Sequence, residues 1–138
     1  MGFNMELTGR ENVIQLGTIR GYSRRQTEER LAEIVEFAAV GDFIDQPLKV
    51  YSNGMRARLG FAASMAADPD ILVLDEVLAV GDELFKRKCF AHLEKLLASG
   101  KTVLISSHNR GNIVELCTRA VLFDRGELIL DGPPNLVV

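Results

Sequence analysis

The first half of the chain reads as three helices. In the second, Leu31, Ile34, Val35, Ala38 and Ala39 recur at three- and four-residue spacing and are expected on one buried face. In the third, about 53–67, Met55, Leu59, Ala62, Ala63 and Ala66 do the same. Two helix starts carry a capping box, in which a hydroxyl caps a backbone amide and an acid or amide three residues later reaches back: Thr8 with Glu11, and Ser23 with Gln26. The pattern changes near Pro69. The unbroken aliphatic run "ILVL" at 71–74 predicts a strand of the parallel kind, covered on both faces. A helix at about 83–98, a strand "TVLIS" at 102–106 and a helix at 111–117 follow, and "AVLFD" and "ELILD" flank Arg125-Gly126 as a β-hairpin. The fold class is therefore α/β: a helical part, 1–68, followed by a parallel α/β part, 69–138, that ends in a hairpin.

Composition narrows the function classes. A chain of 138 residues with 47% hydrophobic and 25% charged residues suits an ordinary globular domain. A net charge of -3 gives no reason to expect nucleic acid as a partner, because basic clusters such as "SRRQTEER" are interleaved with acids like a solvated helix face. Cys89 and Cys117 lie in separate helical patterns without ligand-like spacing and read as reduced thiols of a cytosolic protein. No apolar run approaches the roughly 20 residues that cross a bilayer, and the start has no export signal, so the chain is expected to be neither exported nor embedded.

The triplet Gly100-Lys101-Thr102 matches the close of a phosphate-binding P-loop. The motif G-x-x-x-x-G-K-[ST] needs its first glycine five residues earlier, where Lys95 stands, and it must follow a strand and open a helix. Here a helix ends and a strand begins, so Gly100 is expected to be a helix C-cap. Chemistry is concentrated elsewhere. Asp75 and Glu76 leave the first strand at its carboxyl end, where ligands bind in open parallel sheets. One suits Mg2+, and the other suits orienting or deprotonating a water. The strand-helix-strand order makes the two strands parallel, so His108 exits on the same sheet edge as Glu76, placed to bond a phosphate oxygen or an attacking water. His92, in mid-helix, has no such company. Ser52, Asn53 and Gly54 put a hydroxyl, an amide and bare backbone at a helix N-terminus, whose free amides attract anions.

Together these segments resemble ATP-binding cassette proteins. "YSNGM" resembles their signature sequence, "ILVLDE" the Walker B strand, "AVGD" the D-loop and His108 in "SSHN" the switch histidine, in the family's order. "GFNMELTGRENV", "LKVYSNGMRARLGFA" and "DEVLAVGDELFKRKC" are similar to ATP-binding subunits that energise export of lipopolysaccharide O-antigen, other polysaccharides and teichoic acids, a likeness that runs from about Gly2 to "ILDGPP". The resemblance implies a partial P-loop NTPase fold of the cassette type, with ATP and Mg2+ as cofactors. It implies that Asp75 ligates the metal, Glu76 is the general base and His108 contacts the γ-phosphate. It also implies that Ser52, Asn53 and Gly54, with Met55, contact nucleotide held by an opposite subunit, and that 79–82, including Gly81 and Asp82, line the dimer seam. Asn53 stands where many cassette proteins have glycine, which unusual backbone angles at asparagine would accommodate. Met5 stands where the exporters often carry proline.

The implied partners are a second cassette subunit, a homo-oligomer, and a membrane-spanning permease that would hold the chain at the cytoplasmic face of the cell membrane. In such proteins the P-loop, the adenine-stacking aromatic and the glutamine loop precede the segment that begins "GFNMEL", and only Met1 precedes it here. The expectation is a C-terminal portion that completes another nucleotide site without gripping its own, inactive alone and prone to self-association through an apolar sheet edge. A non-catalytic interaction module and a fragment of a soluble, non-transport cassette ATPase are the alternatives.

Overall fold

The computed structural model describes residues 2–76 and 81–138. The chain divides into two compact units, Met1–Pro69 with Val80–Lys88, and Asp70–Ala79 with Cys89–Val138. Residues 81–88, which follow the first strand in sequence, thus group with the helices.

The first unit is built on α1 (Gly9–Ile19), α2 (Arg24–Ala38) and α3 (Asn53–Met65), with 3-10 turns at Gly41–Asp45 and Leu48–Val50 between the last two. Both capping boxes form as the sequence predicts. The core gathers Val13, Leu31, Ile34, Ala38, Leu48, Leu59 and Ala62. Ala39 departs from the expected apolar face. It is exposed, with φ 52, and ends α2 in the left-handed conformation that usually falls to glycine. The third helix is buried beyond its predicted stripe, since Gly60, Phe61 and Met65 are also inside. Its far end is held by side chains: Arg20 donates to the Ala63 carbonyl at 3.0 Å, Arg30 to that of Ala66 and the Tyr22 hydroxyl to that of Ala67. These donors satisfy carbonyls that the helix leaves open, and the two cations suit the negative end of its dipole.

In the second unit, β1 (Ile71–Asp75) and β2 (Thr102–Ser106) pair in parallel, from Ile71 opposite Thr102 to Asp75 opposite Ser106. The strand is not covered on both faces as expected. Leu72 and Leu74 are buried, but Ile71 and Val73 are 65% and 69% exposed. Between the strands runs α4 (Glu83–Ala98), and Gly100, φ +83, closes it. The Lys101 amide bonds Leu96 O and the Gly100 amide bonds Leu97 O, a Schellman closure, so the glycine-lysine-threonine triplet ends a helix as its polarity requires. Lys101 Nζ lies 3.0 Å from Asp70 Oδ1, at the opposite end of the sheet from Asp75.

After α5 (Arg110–Leu116), β3 (Ala120–Asp124) and β4 (Glu127–Gly132) form the expected antiparallel hairpin. Its turn residues Arg125 and Gly126 both have positive φ, 48 and 84, which suits the right-handed twist of a two-residue hairpin. Arg119 grips Asp131 with two bonds, at 2.7 and 2.6 Å, and holds the carboxylate below its usual pKa. A last helix, α6 (Pro134–Val137), has no sequence expectation behind it; its Val137 joins Ile113 and Ala120 in a small core. Among the described residues no helix is long and apolar enough to cross a membrane.

Candidate functional site

The sheet edge of the second unit gathers one half of the expected chemistry. Asp75 ends β1, and its Oδ1 accepts a hydrogen bond from the Ser106 hydroxyl directly across the pair. Glu76 continues the ladder by one bond, its amide donating to Ser106 O at 3.1 Å, and turns away at φ 53. A left-handed residue here ends the strand and swings the carboxylate out of register. Its Oε1 lies 3.6 Å from His108 Nε2. The histidine side chain is 98% exposed, so its position against Glu76 comes from the parallel exits of the two strands and not from enclosure. Sequence order thus brings Asp75, Glu76 and His108 to one edge. Ser106, which orients Asp75, is not among the residues the sequence motifs point to; its register opposite an acidic strand end is the signal that identifies it.

Among the described residues no group of three or more His, Cys, Asp or Glu side chains converges as a metal cage. A single solvent-facing carboxylate fits an ion that keeps most of its water and takes substrate phosphate oxygens, which is the habit of Mg2+. The cysteines take no part: burial pushes the Cys89 thiol up to about 12 and raises that of Cys117, so neither offers a thiolate near neutral pH.

The other half lies at the start of α3, in the first unit. Ser52 is the N-cap, its Oγ accepting the Met55 amide at 3.1 Å, and its carbonyl takes the Arg56 amide. The hydroxyl proton therefore remains available to an outside acceptor. The next two amides, of Asn53 and Gly54, are of the kind that a helix start leaves without internal partners. Asn53 does not need the unusual backbone angles expected of it, because it sits in the ordinary first turn of α3 and is not among the residues with positive φ. Arg56 instead donates to its Oδ1, so the oxygen is engaged within the helix and the amide NH2 is the group left to donate. A Cβ on Gly54 would meet nothing closer than Ser52 Oγ at 3.8 Å. Packing within the chain thus gives no reason for a glycine there, whereas close approach of an outside group does. Met55 is partly buried against the helical core.

The remaining candidates have work within the fold. Gly81 has φ +94, and a Cβ there would come 2.8 Å from the Phe85 ring. Asp82 caps the first turn of α4, accepting the Phe85 amide at 2.8 Å, and its other oxygen lies 3.8 Å from Arg58 Nη1. Ala79 and Val80, the rest of the expected seam, lie outside the described residues.

The family model described as ABC transporter matches residues 1–79. The chain is 55% identical over 137 residues to the ABC transporter protein AbcA of Aeromonas salmonicida, covering 99% of this chain and 44% of that protein. It is 43% identical to the O-antigen export system ATP-binding protein RfbB of Klebsiella pneumoniae, over 99% of this chain and 56% of the relative. With the teichoic acids export ATP-binding protein TagH of Shouchella clausii (strain KSM-K16) it shares 44% identity, over 100% and 38%. The chain thus spans about half the length of these relatives or less. A solved dimeric, post-hydrolysis structure of the ATP-binding cassette MJ0796 bound to ADP and Pi matches 96% of this chain and 59% of that one, with a TM-score of 0.80 and 24% identity, which shows a partial cassette ATPase fold. The chain belongs to the ABC transporter family.

Proposed function

We propose that this chain is the part of a polysaccharide or teichoic acid export ATPase that carries the hydrolytic carboxylate, the switch histidine and the signature helix. The observation that carries the reading is the Glu76 to His108 approach of 3.6 Å at the carboxyl ends of two parallel strands, with Asp75 beside it. Glu76 takes the proton of the attacking water, and His108 bonds an oxygen of the γ-phosphate and helps fix that water's line of attack. Asp75, oriented by Ser106, would hold Mg2+, which when bound offsets charge on the phosphates. Ser52, Asn53 and Gly54 address the γ-phosphate of ATP on an opposite cassette subunit, the hydroxyl and two amides donating to it.

The partners proposed are a second cassette subunit and a permease at the cytoplasmic face of the membrane. The names of the curated relatives and the dimeric state of the structural neighbour support this.

The 138 residues contain no P-loop sequence. The test mixes the purified chain with the P-loop-bearing N-terminal segment of a relative such as RfbB and follows phosphate release. ATP turnover is expected from the mixture and from neither component, with loss on chelation of Mg2+. Turnover by the chain alone, or a mixture indifferent to Mg2+, would contradict the reading.

A further inference from the structure

Ser106 touches both acidic residues of the sheet edge, each through a different group. Its carbonyl accepts the Glu76 amide at 3.1 Å, and its hydroxyl donates to Asp75 Oδ1 at 2.5 Å. That length is typical of a hydroxyl bonding a charged carboxylate. The contact follows from register. Asp75 pairs with Ser106, so Ile71, Val73 and Asp75 of β1 line up with Thr102, Leu104 and Ser106 of β2 on the solvent face of the pair. The ladder between the strands is made by backbone groups and needs no hydroxyl at position 106.

The bond makes the two oxygens of Asp75 unlike. Oδ1 is engaged by the hydroxyl, and among the described residues no donor reaches Oδ2. A carboxylate held at one oxygen offers a cation the other. Divalent ions differ in what they ask of such a group. Mg2+ keeps several waters in a near-octahedral shell and takes a carboxylate through one oxygen, whereas Ca2+ gathers about six to eight oxygens and accepts both from one carboxylate. To use both oxygens of Asp75, Ca2+ would have to share Oδ1 with a hydroxyl proton, whose partial charge repels it.

We propose that Ser106 is a positioning residue that sets the metal preference of Asp75, holding Oδ1 so that the carboxylate meets a divalent ion through Oδ2, in favour of Mg2+ and against Ca2+. The fixing of Asp75 stands on the observed bond; the choice of metal rests on the proposed function.

The fixing is measured without metal or nucleotide. Three-bond Hα–Hβ couplings of Asp75 in the chain report whether its χ1 stays in one staggered well. Threonine and valine share a shape and both suit a strand, so Ser106→Thr keeps the hydroxyl and Ser106→Val lacks it. One well is expected in the original chain and in Ser106→Thr, and averaged couplings in Ser106→Val. Averaging in the original chain, or equal couplings in the two variants, would overturn the positioning. Ser106→Ala adds no volume and is expected to match Ser106→Val, which keeps the test decisive if the valine variant folds poorly.

The metal preference is measured in the two-part ATPase carrying Glu76→Gln, with ATP present, from the electron paramagnetic resonance of bound Mn2+ as Mg2+ or Ca2+ displaces it. Partners of ligating carboxylates typically contribute about 10- to 100-fold in metal affinity, so the ratio of Ca2+ to Mg2+ that displaces half of the Mn2+ is expected to fall about tenfold in Ser106→Val and to stay within about threefold in Ser106→Thr. Turnover plays no part in this readout. A ratio unchanged in Ser106→Val, or falling equally in Ser106→Thr, would overturn the metal preference. Failure of the original mixture to hold Mn2+ would overturn the proposed function and with it the choice of metal, while the couplings still decide the positioning.

Discussion

Glu76→Gln is expected to lower ATP turnover of the reconstituted mixture by about 10²- to 10⁴-fold, the usual contribution of a general base. The two side chains have the same shape, so the change isolates proton acceptance. The backbone at Glu76 is fixed by the amide bond to Ser106 O at 3.1 Å and by its left-handed turn, neither of which depends on the carboxylate. Folding stability should therefore hold, with a Tm within a few degrees, and Mg-ATP should still bind. Phosphate release at saturating Mg-ATP measures the effect. A fall of less than about tenfold would remove Glu76 from the role of base and return the 3.6 Å contact with His108 to an ordinary surface pair.

Asn12→Ala is expected to destabilise the helical unit by about 3 kcal/mol, through the loss of a buried hub. Asn12 is 2% exposed. Its Oδ1 accepts the Asn4 amide at 2.8 Å, and its Nδ2 donates to the carbonyls of Asn4, Leu7 and Thr8 at 2.9, 3.2 and 2.9 Å. One side chain thus stitches the incoming segment to the first turn of α1. Alanine would leave the Asn4 amide without its acceptor, cut the side-chain ties to three carbonyls that keep only their backbone donors, and leave a small void, whereas the neighbouring capping box would survive. Asn12→Asp would fare no better, since it keeps the acceptor but aims a carboxylate at three carbonyl oxygens. Urea unfolding of the variants measures the cost, and a change below about 1 kcal/mol would show that the hub is dispensable.

Much of the local structure was legible in the sequence because its signals are local. The two capping boxes, the bounds 83–98 and 102–106, the hairpin around Arg125-Gly126 and the reverse polarity of Gly100-Lys101-Thr102 all follow from residues within a turn of the feature they set. The edge shared by Glu76 and His108 followed from one topological rule, that a strand-helix-strand unit returns parallel. What escaped depends on partners distant in sequence. Four aliphatics in a row cannot say whether a second layer covers them, and Ile71 and Val73 are exposed. Ala39 fits the helical period, but the helix stops there and the closing turn needs a left-handed residue. The Phe37, Phe61 and Phe85 cluster and the Arg58 approach to Asp82 join segments more than 20 residues apart, and no spacing in the chain announces them. Asn12 looks in sequence like any polar helix residue.

Residues 52–54 are proposed to complete a nucleotide site on another subunit. Sedimentation velocity of the chain with the P-loop-bearing segment, in the Glu76→Gln background and with or without Mg-ATP, tests it most directly. A dimeric assembly is expected that forms only with Mg-ATP and is abolished by Gly54→Glu. A Cβ at that position meets only Ser52 Oγ, at 3.8 Å, and the added carboxylate would stand against phosphate. Assembly that ignores Mg-ATP, or that survives Gly54→Glu, would contradict it.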